Sequence, residues 1–188
     1  MPHDLGRDLH LPDGEASDLA AVVLHPHPGM GGDRHHPLVV AIATGLASAG
    51  VASLRIDLRD PDVSLAASQM DALRCTLLDH TGATQLVLVG YSWGAVVAAT
   101  ASATSLRARV LIAPPVATAD LAAPPDGAPA LVLVPAHDQF GPPDVAQQTF
   151  ASWPDTEVEV VEGCDHFLAG AIQRIADRAV GWVTGLSG

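Results

Sequence analysis

Six strand-length apolar runs, separated by segments with helical spacing, constrain this chain more than any other feature. The runs cover residues 18–24, 51–57, 85–89, 109–113, 130–134 and 157–162. Most are continuous stretches of Val, Leu, Ile and Ala, the pattern of strands buried on both faces of a parallel sheet. The last alternates as EVEVVE, which suits an edge strand with one wet face. Residues 5–11 add a further, antiparallel edge strand. Between the runs, residues 38–49 are apolar almost throughout and end at Gly50, a C′ residue. Residues 64–79 place Leu65, Met70, Leu73, Leu77 and Leu78 on one side of a single helix ending before Gly82. Helices are also predicted over 96–103, 145–150 and 168–183. Strand and helix alternating in this way predict an α/β fold, a mostly parallel open sheet with helices on both faces.

The 188 residues are 48% hydrophobic and 16% charged, enough apolar material for one sizeable core and far from a disordered composition. We read residues 1–188 as a single domain, with no internal repeat or linker. No apolar run approaches the roughly 18 residues of a spanning helix. The N-terminus MPHDLGRDLH has no basic region followed by an apolar stretch, so a cytoplasmic protein without membrane association is expected. Net charge is −12, which would repel a polyanion and argues against nucleic acid as a partner. Cys75 and Cys164 lack metal-ligand or disulfide-framework spacing and are expected to be reduced thiols, Cys164 serving packing.

The chemistry begins where the third run ends. LVLVGYSWGAVVAAT embeds Gly90-Tyr91-Ser92-Trp93-Gly94, a GxSxG between a buried strand and a small-residue helix. That is the setting of a nucleophile elbow, in which the serine occupies a strained turn and its hydroxyl projects off the sheet edge. The two glycines leave room for the close backbone approach, and the N–H groups of the following helix point at charge developing beside Ser92. The bland alternative is a plain strand-to-helix turn with Ser92 as N-cap.

A serine hydroxyl needs a base to take its proton. Only His137 and His166 lie downstream of Ser92. His166 follows the last strand, at the carboxyl edge where Ser92 also emerges, and is the better base. Asp138 ends LVLVPAHD, the preceding strand, and would hold the imidazole in the required tautomer. Asp120, one strand earlier, is its rival. Asp165, adjacent to His166, reads as the N-cap of the last helix.

After the first strand comes His25-Pro-His-Pro-Gly-Met-Gly-Gly-Asp-Arg-His-His36. The backbone N–H groups of Trp93 and of a residue in this loop would form an oxyanion hole. Pro26 and Pro28 have no N–H, which leaves His27, Gly29 and Met30; His27, third from the strand end, is favoured for the second donor and Met30 comes next. A metal held by His25, His27, His35 and His36 is the competing reading. Alternating His and Pro turns the first two rings apart, so no metal is expected. Instead His25 would shape the loop through backbone bonds, and His35 and His36 would face solvent. Residues 114–129 are too few for a lid, which leaves an open mouth lined by some of Met30, Trp93, Phe140 and Phe167.

Taken together, LHPHPGMGG, LRIDLRD, LVLVGYSWG, VLIAPPV, LVLVPAHDQFGPP and VEGCDHF, in that order, make the chain resemble the short bacterial α/β-hydrolases related to dienelactone hydrolase, in particular those with an HPHP-x-x-GG loop. The resemblance implies the α/β-hydrolase fold with about seven strands, esterase-like hydrolysis without a cofactor, a small acyl substrate, and catalytic roles for Ser92, Asp138 and His166. Two departures concern substrate preference. LRIDLRDPDVS lacks the usual Arg-Gly-x-Gly-x-Ser turn, and Pro135-Ala136 replaces a common Gly-Asp. The leading expectation is a serine-dependent carboxylic ester or thioester hydrolase. The alternatives are acyl transfer, a lyase or cyclase step on the same triad, or a non-catalytic scaffold.

Overall fold

A computed structural model of the protein describes residues 7–186. Its sheet is built from β1 (Arg7–His10), β2 (Leu19–Leu24), β3 (Ala52–Ile56), β4 (Gln85–Tyr91), β5 (Leu106–Ile112), β6 (Ala130–His137) and β7 (Thr156–Asp165). Across the sheet the order is β1-β3-β2-β4-β5-β6-β7. β1 runs antiparallel to β3, and every other pairing is parallel. Residues 5 and 6 of the expected first strand lie outside the described residues. EVEVVE falls in β7, at the opposite edge, as its alternation requires.

The helices are α1 (Pro37–Ser48), α2 (Val63–Ser68), α3 (Met70–Thr81), α4 (Trp93–Thr100), α5 (Pro143–Phe150) and α6 (Ile172–Thr184). β2 and β4 are sandwiched between two cores. Ala20, Val22 and Leu24 of β2 face one core with α2, α3, α4 and α5, while Leu19, Ala21 and Val23 face the other with α1 and α6. This two-residue alternation explains why β2 reads as unbroken LAAVVL: both faces are dry. α1 starts at Pro37, whose fixed φ suits a first helical position, and stops before Gly50 in the left-handed region (φ 84°).

Three elements differ from the sequence expectation. The helix expected over 64–79 is two helices. The Gln69 N–H bonds back to the Ala66 carbonyl in a tightened turn, so α2 packs on α4 while α3 lies against the sheet. Met70 and Leu77 are buried as expected, but the break leaves Leu65 exposed. The fourth run starts earlier, at Leu106, and carries Arg109 fully buried within it. That guanidinium donates to the Ala98 and Ala101 carbonyls at the end of α4 and forms a two-pronged pair with Asp126. The last helix starts at Ile172 rather than 168, because a turn through Leu168 (φ 60°) intervenes. Asp165 therefore caps that turn, accepting from the Phe167 N–H at 3.0 Å, and not the helix.

No helix among the described residues is long and apolar enough to cross a membrane.

Candidate active site

β4 ends in a sharp turn at Ser92. Ser92 sits at φ 54°, ψ −117°, a conformation that is costly for any residue with a Cβ and persists only where its surroundings impose it. The surroundings are backbone. A Cβ on Gly90 would lie 2.1 Å from the Gly94 carbonyl oxygen, and one on Gly94 would lie 2.6 Å from the carbonyl oxygens of Leu24 and His25. The Ser92 N–H is tied to the Ile112 carbonyl at 2.8 Å, so the turn is held from β5 as well.

The strained turn aims the side chain at the end of β7. Ser92 Oγ lies 2.9 Å from His166 Nε2, and His166 Nδ1 lies 2.8 and 3.0 Å from the two Asp138 oxygens. Asp138 Oδ1 also accepts from the N–H groups of Phe140 (2.8 Å) and Gly141 (3.0 Å). Those donors fix the carboxylate from the backbone side. With the carboxylate ionised, Nδ1 donates to it and Nε2 is left with a lone pair facing the serine hydroxyl. All three residues are buried, which strengthens these interactions relative to water. Phe140 packs edge-on to the imidazole at 4.7 Å.

The rival residues lie elsewhere. Asp120 and His137 are both exposed, and neither lines the cavity beside Ser92. Ser53, the other buried serine, donates to the Ala43 carbonyl, on the α1 side of the sheet.

In the loop after β2, His25 is fully buried and uses both ring nitrogens on backbone. Nδ1 lies 2.6 Å from the Pro26 carbonyl, and Nε2 accepts from the Leu58 N–H at 2.9 Å. Its ring stacks on Trp93. His27 Nδ1 accepts from the Gly29 N–H. The His27 carbonyl accepts from both Met30 and Gly32, so the Met30 N–H is already engaged. Among the described residues neither the His27 nor the Trp93 N–H has an acceptor. The two residues face each other, rings 5.9 Å apart. No group of three or more His, Cys, Asp or Glu among the described residues is placed to hold a metal ion.

One expectation for this loop is corrected. His36 does not simply face solvent. It caps α1, packs against the Tyr91 ring at 5.1 Å and lines the cavity. His35 is exposed.

The cavity measures about 450 Å³ and includes Met30, Trp93, Phe140 and Phe167 in its walls. Pro115, Thr118 and Ala119, from the short segment after β5, form another wall rather than a cover. Met30 and Phe167 are 77% and 58% exposed, so the rim is apolar and open.

Two supporting features had no signal in the sequence. The Tyr91 hydroxyl donates to the His166 carbonyl at 2.8 Å, fixing that residue from behind. Burial, with Asp138 and Asp165 nearby, pushes that phenol up to about 12. Second, Arg34 at the far end of the histidine loop pairs with Asp8 and Asp57, and Arg55 bridges Asp8, His10 and the Arg34 carbonyl. This network pins the loop to β1 and β3. It joins residues up to 47 positions apart (Asp8 to Arg55), which no local pattern reveals.

No family model matches the sequence, and no curated protein matches it. Solved structures do. An α/β serine hydrolase homologue from Coxiella burnetii is similar with a TM-score of 0.81 at 20% identity, over 94% of this chain and 90% of that one. An α/β serine hydrolase without lid from Xanthomonas campestris gives 0.77 at 21%, over 94% and 86%. A dienelactone hydrolase from Anabaena variabilis gives 0.79 at 22%, over 95% and 90%. The architecture is the α/β-hydrolase fold, with no lid domain among the described residues.

Proposed function

We propose that the protein is a serine hydrolase that cleaves a small carboxylic ester or thioester through an acyl-enzyme on Ser92. The observation that carries this is the 2.9 Å approach of Ser92 Oγ to His166 Nε2 on a strained elbow, with Asp138 bonded to the opposite ring nitrogen.

In this reading the Ser92 hydroxyl attacks the ester carbonyl as His166 takes its proton, and Asp138 stabilises the imidazolium that forms. The carbonyl oxygen becomes an oxyanion, met by the free N–H groups of Trp93 and His27. Collapse expels the alcohol or thiol, which receives the proton from His166. Water then enters through the open rim, His166 removes its proton, and a second tetrahedral intermediate releases the acid and restores Ser92. The similarity to dienelactone hydrolase and the HPHP-x-x-GG loop support placing the chain in that group, with serine as the nucleophile.

Turnover of a panel of chromogenic esters and thioesters, with Ser92→Ala as control, tests the reading. Hydrolysis by the wild-type chain and none above background by the variant is the expected result. Undiminished turnover by Ser92→Ala overturns it.

A further inference from the structure

Among the described residues the cavity wall contains no Arg, Asp or Glu side chain, and the sequence has no Lys. An anionic substrate would lose hydration there without gaining a counter-charge. Besides the apolar lining, the polar side chains facing this space are few: Ser92, His166, His27, His36, Tyr91 and Thr118. Tyr91 is committed to the His166 carbonyl, and Ser92 and His166 to each other.

His36 is different. Its Nδ1 accepts from the Leu38 N–H at 3.3 Å as the cap of α1. An acceptor nitrogen carries no proton, so a neutral ring must hold its proton on Nε2. Among the described residues Nε2 has no protein partner, and Trp153 Nε1 is the only fully enclosed side-chain polar atom left without one. His36 Nε2 therefore opens on free space, and His36 lines the cavity. Burial depresses the imidazole's pKa, with His25 adding to the effect and Asp33 opposing it, which favours the neutral ring.

Building on the serine hydrolase reading, we propose that His36 is a specificity-determining residue whose Nε2–H donates to an uncharged oxygen of the substrate. The substrate class is then a neutral, mainly apolar ester carrying one acceptor oxygen, an ether or ketone, besides the ester itself. Esters bearing a carboxylate or phosphate are poor substrates.

The test is a series of aryl esters of one acyl length, with a single methylene replaced by an ether oxygen at successive positions, plus the all-carbon parent and a carboxylate-terminated analogue. His36→Asn keeps a side-chain acceptor for the α1 cap and removes the Nε2 donor, and His36→Ser does the same with a shorter side chain. At one ether position the ratio of kcat/KM to the all-carbon parent should be about fivefold higher in the wild type than in either variant, the discrimination one neutral hydrogen bond supplies. The difference should lie in KM. The carboxylate-terminated ester should be the slowest of the series. Equal ratios in wild type and variants at every position, or preferred turnover of the carboxylate ester, overturn the proposal. Labelling of wild-type Ser92 by a fluorophosphonate is measured alongside. Labelling with equal ratios refutes only the role of His36, whereas absence of labelling refutes the serine hydrolase reading itself.

Discussion

Replacing Asp138 by Asn should be far more damaging than the loss of one charge suggests, because the backbone dictates how the amide sits. Asp138 Oδ1 accepts from two N–H groups, Phe140 at 2.8 Å and Gly141 at 3.0 Å, and an NH₂ cannot replace it there. The Asn oxygen stays on that side. Its NH₂ then occupies the place of Oδ2, which lies 2.8 Å from His166 Nδ1. With a donor at the shorter contact and the oxygen only at the longer one of 3.0 Å, a proton on Nδ1 is disfavoured and the tautomer shifts toward Nε2–H, which meets Ser92 Oγ and blocks proton acceptance. On this reasoning kcat falls by about 10⁴-fold with KM little changed. That corresponds to about 5.4 kcal/mol of transition-state stabilisation at 1.36 kcal/mol per tenfold. The two backbone bonds survive, so the melting temperature should move by only a few degrees. Steady-state turnover of one chromogenic ester, with thermal melts on the same samples, measures both. Asp120→Asn is the comparison: its side chain is exposed and away from the cavity, and a loss below about tenfold is expected. Asp138→Asn within tenfold of wild type would refute the tautomer argument.

Other perturbations probe the supports. Gly94→Ala puts a Cβ 2.6 Å from two carbonyl oxygens, a clash with backbone that cannot rotate away, so the chain should lose several kcal/mol of stability or fail to fold; a denaturation midpoint matching wild type would contradict this. Tyr91→Phe removes the donor to the His166 carbonyl and should destabilise by about 1–3 kcal/mol with a lowered kcat. An unchanged urea midpoint and kcat would show the bond to be idle. Asp126→Ala strands the buried Arg109 guanidinium and should destabilise by about 3 kcal/mol, the low end for a buried pair because Asp126 is partly exposed. The Arg109 hydrogen bond, aided by the Ala128 N–H and the Arg109 charge, outweighs burial and holds the Asp126 carboxyl below its ordinary range. Its contribution is therefore full above the unfolded carboxyl pKa of about 4 and is lost as pH falls through the lower folded value. The melting-temperature gap between wild type and Asp126→Ala should be constant at neutral pH and close in acid; a gap that widens in acid reverses the sign.

What could be read from the sequence was what local pattern encodes. Strands such as β2 and β6 announce themselves because both faces are dry and nearly every residue must be apolar. Ser92, Asp138 and His166 could be placed at one edge because each follows a strand of a parallel sheet, whose carboxyl ends share that edge. Pairings over long separations stayed hidden. Arg109 is charged inside a strand, tolerable only because Asp126 and two carbonyls at the end of α4 meet it; the apolar run read from the sequence began at Arg109 and left out Leu106, Arg107 and Ala108, where a second Arg breaks the pattern. The break at Gln69 depends on how α2 and α3 pack on different partners, since VSLAASQMDALR reads as one helix by spacing. His36 read as a surface residue because pattern alone does not show that α1 starts against Tyr91.

The central claim is a covalent acyl group on Ser92. It is tested most directly by mixing the protein with an excess of an activated ester, quenching in acid within the first turnovers, and mapping the mass increment by peptide mass spectrometry. The acyl increment is expected on the peptide containing Gly90-Tyr91-Ser92-Trp93-Gly94, with none in Ser92→Ala and formation strongly slowed in His166→Ala. An increment on any other residue, or hydrolysis with no acylated Ser92 at any quench time, would contradict it.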